Sequence, residues 1–366
     1  MSVITYDVTD NMTHVRDAVN HSVNVTDRYE RSQFDFMLYS IIVPILFGLI
    51  TLIGTLGNSL VIYVILSENR MRTVTNLLLL NLAFADLSFV LICPPFTAHQ
   101  FVTSVWPFGD VVCKLMHYLL NVTAYVTVYT LVLISAIRYM TIVHNVRTAR
   151  MRTKPRVVLM IAAIWVIMLV VNVPILRSYG VQETLPGVLE CENYGRQVAQ
   201  RLYATFFAFA YLVPLSIIGV LSVFILHHIQ RQRPAMINKK TKSQHKKRQA
   251  SRLIILVVVI FALFWLPVHI HLLVAYYGRL PESAVYQGVS VMWNCLAYFN
   301  SCVNPIIYNF ASQEFRERFR KVLSCRPAAR GSTSQTDDMT VETRVAIHDN
   351  GIQLTTYMKY REDDDD

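Results

Sequence analysis

The sequence predicts an all-α membrane protein: a bundle of seven membrane-spanning helices followed by a short amphipathic eighth helix. Seven apolar runs, at about 39–66, 76–101, 111–143, 157–176, 203–229, 253–276 and 289–310, each reach the ~20 residues needed to cross a hydrocarbon core of about 30 Å. The chain is also apolar for its length, with a mean hydropathy of +0.38 and 16% charged residues. A soluble chain would need more polar residues to cover its surface. The competing reading, a large soluble protein with buried helices, has to explain seven such runs in one chain.

Taken in order, residues 1–38 form a polar segment without a cleavable signal, so the first span is expected to serve as the insertion signal. Residues 39–310 hold the seven spans. Polar residues inside them that are costly in lipid unless they meet across the bundle include Asn58 in the first, Asp86 in the second, and Asn300, Ser301 and Asn304 in the seventh. The seventh also carries Pro305 and Tyr308. Pro305 removes one backbone hydrogen bond in hydrocarbon, which predicts a helix built to bend. Residues 311–325 read as an amphipathic membrane-surface helix, with Phe315, Phe319, Val322 and Leu323 opposite basic residues. Residues 326–366 read as a disordered tail.

Basic residues fix the expected orientation. They concentrate in the first, third and fifth loops: Arg70 and Arg72; Arg147, Arg150, Arg152, Lys154 and Arg156; then the run from Arg231 to Arg248. Those loops are predicted to be cytoplasmic and the N-terminus extracellular. The sequons at Asn11, Asn20 and Asn24 then lie outside as glycosylation candidates, whereas the one at Asn121 falls within a span, beyond a transferase's reach. The formal charge of +10 is accounted for by topology and anionic lipid, not by nucleic acid.

Of six cysteines, Cys93, Cys295 and Cys302 lie in spans and Cys325 follows the last one. Cys113 and Cys191 are left facing oxidising solvent and are expected to pair, tying the second extracellular loop to the third span. Cys325, beside the amphipathic stretch, is a palmitoylation candidate or an unmodified thiol.

Asp86 is the one acid within the membrane interior. With Asn300 and Asn304 it could hold an allosteric Na⁺, a hard ion suited to oxygen donors. A water-filled network without an ion, or a protonated Asp86, answers the same observation. No other cofactor is expected.

The strings Gly57-Asn58, Asn81-Leu-Ala-Phe-Ala-Asp86, Trp106-Pro-Phe-Gly109, Arg138-Tyr139, Trp165, Phe264-Trp-Leu-Pro267 and Asn304-Pro-Ile-Ile-Tyr308 resemble the ordered signatures of rhodopsin-like G protein-coupled receptors. The likeness covers about residues 38–325. Val105-Trp-Pro-Phe-Gly109 with Cys113-Lys, Tyr129-Thr-Leu-Val-Leu133, Trp265-Leu-Pro-Val-His269 and Asn300-Ser-Cys-Val-Asn-Pro305 look most like the allatostatin-A and galanin receptors. Somatostatin and opioid receptors share several of these strings. Seven residues beyond Cys113, however, where those receptors and amine receptors carry an Asp for a ligand cation, this chain has Leu120.

The resemblance implies a plasma-membrane receptor for an extracellular peptide, in a neutral pocket lined by Gln100, His117, Asn121, Phe206, Trp265, His269 and Asn294. Uncharged hydrogen-bond groups among aromatics suit an amidated peptide end. For each histidine, buried packing is the alternative. By analogy, the sixth helix swings about Pro267, and Arg138 and Tyr139 meet a heterotrimeric G protein, of the inhibitory class by the galanin likeness. Asn304, Pro305 and Tyr308 belong to the same switch. Ser332, Thr333, Ser334, Thr336, Thr340 and Thr343 are candidate sites for receptor kinases and arrestin recruitment.

Three positions depart from the family pattern. Ile137 replaces the acid before Arg138, the foot of the sixth helix is basic at His245-Lys-Lys-Arg248, and Ser222 stands where a Tyr is usual. The first two free Arg138 in the resting state and predict raised basal activity; the third removes a support of the active state. A signalling receptor, a non-signalling decoy and an ion-conducting or transporting bundle are the function classes in play, and a single interior carboxylate without paired repeats disfavours the last.

Overall fold

The computed structural model describes residues 38–103, 105–144, 146–231, 241–278, 284–311, 313–323, 340–348 and 351–359. Seven long helices cross one another: α1 (Val43–Ser67), α2 (Val74–Val102), α3 (Gly109–Ile142), α4 (Lys154–Val171), α5 (Arg196–Arg231), α6 (Thr241–Tyr277) and α7 (Ala284–Ala311). A short α8 (Gln313–Leu323) follows, and an antiparallel hairpin, β1 (Tyr179–Leu185) and β2 (Val188–Asn193), links α4 to α5. Among the described residues, six helices are long and apolar enough to cross a membrane. The 28 residues of α7 also reach across a bilayer at about 1.5 Å each, but its buried Asn300, Ser301 and Asn304 dilute its apolar character.

Exposure rules out the soluble reading. On α1, Leu49, Leu52 and Leu56 are 48%, 55% and 63% exposed, and Val158, Leu159, Val166 and Val170 line an equally bare face of α4. Such contiguous apolar surface belongs in hydrocarbon. By contrast, every residue from Val122 to Val128 of α3 is buried, which makes α3 the central helix.

Small residues bring helices together. A Cβ on Gly54 would lie 2.9 Å from Val90 Cγ1 and 3.2 Å from Cys302 Sγ, and one on Gly57 3.1 Å from Pro305 Cγ. Glycine at both positions thus lets α1 pack against α2 and α7. Asn81 joins three helices: its Nδ2 donates to Thr130 of α3 at 2.8 Å, and its Oδ1 accepts from Trp165 of α4 at 2.8 Å. The first turn of α2 is capped by Thr73, whose hydroxyl accepts from the Asn76 amide at 3.3 Å.

The hairpin is anchored at one end of the bundle. Cys113 and Cys191 form the expected disulfide, with Cα atoms 5.6 Å apart. The Val181 amide donates to Asp110 on α3 at 3.1 Å, and the Trp106 amide donates to Leu189 O of β2 at 2.7 Å. These ties hold the hairpin across the mouth of the bundle.

Three features differ from the sequence reading. Helix α6 starts at Thr241, inside the basic stretch, because a run of Lys, Gln and Arg is no obstacle to a helix. On α8, Phe315 and Phe319 are 2% and 6% exposed, and Phe315 packs on Tyr308 at 6.0 Å; the apolar face is thus partly used against α7. Residues expected to be disordered contain a second hairpin, β3 (Thr340–His348) with β4 (Gly351–Lys359), His348 pairing with Gly351. The alternation Val341, Thr343, Val345, Ile347 is a strand pattern. The sequons at Asn11, Asn20 and Asn24 and the thiol of Cys325 lie outside the described residues.

Candidate functional site

Beneath the β1–β2 hairpin a cavity of about 460 Å³ enters the bundle. It brings together Gln100 of α2, His117 and Asn121 of α3, Phe206 of α5, Trp265 of α6 and Asn294 of α7. Leu120, at the position where an acid would select a cation, is also in its wall. The amides keep hydrogen-bonding capacity in reserve. Asn121 and Asn294 each use one N–H on a carbonyl of their own helix, His117 O and Ser290 O, both at 2.9 Å. Gln100 reaches Cys191 O at 3.4 Å, so the disulfide also holds a pocket amide. His117 lies flat on Tyr179 of the hairpin, with ring centroids 3.7 Å apart, and its Nε2 is buried without a partner.

His269 does not line the cavity. It is 2% exposed and sits behind the wall, with Phe206 at 4.9 Å, Tyr211 at 5.0 Å and Trp265 at 5.9 Å. Its place one turn from Trp265 puts it on the inner face, but α5 closes over it. A π-turn at Ala208–Leu212, where the Val213 amide reaches back to Ala208 O, precedes Pro214. Tyr211, in that turn, donates to Ala262 O of α6 at 2.9 Å, joining the helices around His269.

The sequence also underestimated the pocket's charge. Glu192 of β2 is part of the lining, beside the disulfide cysteine, and desolvation together with neighbouring Glu190 holds its carboxyl above the usual range. Tyr179, Tyr203, Tyr276 and Tyr298 complete the wall. Tyr179 and Tyr203 share a hydrogen bond at 2.9 Å, Tyr203 stacks on Tyr276 at 4.8 Å, and Tyr298 pairs with Thr97 at 2.9 Å. The adjacency of Glu192 to Cys191 was the one sequence signal for its position; the tyrosines carried none.

Trp265, in the cavity wall, belongs to an aromatic cluster. Trp265 is ringed by Phe89, Phe206 and Phe261 at 6.1, 6.1 and 5.8 Å. Pro267 lies within α6, two residues further along. Elsewhere in the bundle Asp86, fully buried, accepts from Ser301 at 2.9 Å and from Asn304 at 2.7 Å. Asn58 donates to Ser301 O at 2.9 Å, and its Oδ1 is buried without a partner. Asn300 is buried but makes no hydrogen bond to Asp86 among the described residues. Pro305 packs near Gly57, and Tyr308 is 1% exposed with an unpartnered hydroxyl.

At the opposite end of α3, Arg138 makes no ion pair among the described residues, and Ile137 is 5% exposed, packed in the core. Tyr139 bonds to His144 at 3.2 Å and packs on Phe224 of α5 at 6.1 Å. The side chains at the foot of α6, including Lys247, lie outside the described residues.

This arrangement makes and breaks no bonds. The bundle carries a cavity at one end and Arg138 toward the other end of α3, with Pro267 inside α6 and Pro305 inside α7. The profile of the 7 transmembrane receptor (rhodopsin family) matches residues 57–308. The allatostatin-A receptor of Bombyx mori is 37% identical over 88% of this chain and 90% of its own. Galanin receptor 2b of Danio rerio is 34% identical over 80% and 77%, and human galanin receptor type 1 is 34% identical over 77% and 81%. Receptors of this kind are multi-pass plasma-membrane proteins that act on G proteins and are not enzymes. The chain belongs to the rhodopsin family of seven-transmembrane receptors, in the group of allatostatin-A and galanin receptors.

Proposed function

We propose that the chain is a cell-surface receptor for an amidated neuropeptide of allatostatin-A or galanin type, with its N-terminus and the disulfide end of the bundle outside. The supporting observation is the cavity under the disulfide-anchored hairpin, with Gln100, Asn121 and Asn294 amides among Phe206, Trp265 and four tyrosines. A peptide carboxamide has one acceptor and two donors and matches side-chain amides, whereas a free carboxylate meets no Lys or Arg among the described residues of the lining. Glu192 at the hairpin suits a cationic group further along the same peptide.

The G protein is of the inhibitory class by the galanin-receptor likeness, and receptor kinases and arrestin act on the tail. The positive loops at the Arg138 end support its cytoplasmic placement. A sodium ion fits the Asp86 site as an allosteric ligand: the carboxylate and the orphaned Asn58 Oδ1 are hard oxygen donors, and one acid holds such an ion weakly. When bound, the ion adds positive charge beside Asp86. Asp86, Ser301 and Asn304 hold α2 and α7 together in the same network.

Arg138, which makes no ion pair among the described residues, favours signalling without agonist. A decoy reading draws on the same Ile137 and Ser222. The test is a panel of amidated neuropeptides and their free acids on cells expressing the chain with promiscuous G proteins. An amide-dependent response supports the proposal. Saturable peptide binding without any response supports the decoy.

A further inference from the structure

A second cavity, of about 650 Å³, lies outside the peptide cavity between α3, α4 and α5. Its mouth is formed by Ile167, Val171 and Phe209, which are 51%, 58% and 52% exposed on the face that meets hydrocarbon. It therefore opens to the bilayer. Its lining is mostly apolar, with Asn121, Tyr125, Asn172 and the exposed Arg201 among its polar members. Tyr125 is 8% exposed and lines the cavity from α3. A hydroxyl that faces a cavity can donate to a ligand atom placed there. Arg201, near the disulfide end of α5, makes no ion pair among the described residues and reaches only Gln197 O of its own helix, at 3.4 Å.

We propose that this cavity binds a single-chain lipid carboxylate, of the fatty-acid class, drawn from the bilayer. Its head enters toward Arg201 and the Tyr125 hydroxyl, and its chain leaves past Ile167, Val171 and Phe209 into the hydrocarbon. Arg201, without an ion pair among the described residues, selects an acid over a neutral sterol, and the size is that of an ordinary small-molecule pocket, roughly 300–1,000 Å³. Occupancy would reach the peptide cavity by two routes. Asn121 lines both cavities. Tyr125 packs edge-on against Phe206 at 5.6 Å, which in turn meets Trp265 at 6.1 Å. The lipid thus modulates peptide affinity, and by linkage peptide modulates lipid affinity by the same factor.

The test uses the full chain in phosphatidylcholine nanodiscs, with radiolabelled oleate as probe and empty nanodiscs as background. Saturable binding is expected, displaced by unlabelled oleate but not by methyl oleate or cholesterol. Arg201→Gln should weaken it about tenfold. Val171→Trp, which fills the mouth, should abolish it, with monodisperse elution as the folding control. Should Val171→Trp fail to fold, Tyr125→Phe, which removes one oxygen, is expected to weaken binding several-fold. Purely linear uptake, native-like binding by Arg201→Gln, or equal displacement by methyl oleate would overturn the proposal. Displacement by cholesterol would assign the cavity to a sterol instead. None of these readings depends on the peptide, so the two proposals fail separately.

Discussion

Asn304 of α7 donates to one carboxylate oxygen of Asp86 on α2 at 2.7 Å, and Ser301, one turn earlier, donates to the other at 2.9 Å. These bonds link the part of α7 that precedes Pro305 to the middle of α2. Asp86→Ala leaves two buried donors without an acceptor and should cost about 1–3 kcal/mol for each. Thermal unfolding of purified receptor should show the loss. Asp86→Asn keeps the volume but not the charge; agonist affinity in this variant should no longer change when NaCl replaces choline chloride. Sodium sensitivity that survives would place the ion elsewhere.

The disulfide closes a loop of 78 residues and holds the hairpin over the cavity. Cys113→Ser or Cys191→Ser should cost about 2–4 kcal/mol and abolish peptide binding or surface delivery. Surface labelling and ligand binding on the same cells separate the two losses. Full binding by either variant would show that the lid is held by Asp110 and Trp106 alone.

His269 is packed behind the cavity wall, and its substitution is expected to act through packing. Truncation to Ala opens space among Phe206, Phe207, Tyr211 and Trp265 and should destabilise by about 2–4 kcal/mol, so surface expression falls together with the response. Asn294→Ala, in the cavity wall, should lower peptide potency about tenfold at unchanged expression. The opposite pattern would put His269 back in the site.

Glu192 gives peptide binding a pH dependence. Its carboxyl is raised above 4.5 by desolvation and by Glu190, so it takes up a proton earlier than a free glutamate as the pH falls. A peptide carrying a cation near the hairpin should bind more weakly as the pH drops from about 7 toward about 5. In Glu192→Gln that slope should vanish, while affinity at neutral pH drops to the acidic level of the native receptor. An unchanged slope would show that another group titrates.

Basal activity follows from Arg138. With Ile137 beside it, the resting state lacks a charge-assisted bond of about 1.5–3 kcal/mol, enough to raise the active share roughly ten- to a hundredfold. Ile137→Asp should lower second-messenger level without agonist at matched surface expression, and Ser222→Tyr should raise it. Equal signals from native chain and Ile137→Asp would show that other contacts hold the resting state.

The spans and the disulfide were legible because their causes are local: apolar length for the first, and exclusion of four membrane or cytoplasmic thiols for the second. Six of the seven residues predicted for the pocket reach one cavity because each faces inward on its own helix. His269 faces inward too. Its exclusion depends on how α5 packs, through Phe206 and Tyr211, which no spacing on α6 reveals. Glu192 was missed because the hairpin's position over the cavity is a long-range consequence of Cys191 and Trp106. Hairpin β3–β4 was missed for a different reason: the polar composition of the tail was weighed above the alternation from Val341 to Ile347.

The central claim is that an amidated peptide end, seated among Gln100, Asn121 and Asn294, drives the Arg138 end onto a G protein. Nucleotide exchange on a purified inhibitory-class heterotrimer tests it most directly, using the full chain in nanodiscs with an allatostatin-A-type peptide as the amide and as the free acid. The amide should accelerate exchange at concentrations where the free acid does not, and Asn294→Ala should shift its potency without changing the maximum. Equal potency of amide and acid, or no exchange from a receptor that binds the amide saturably, would contradict the account.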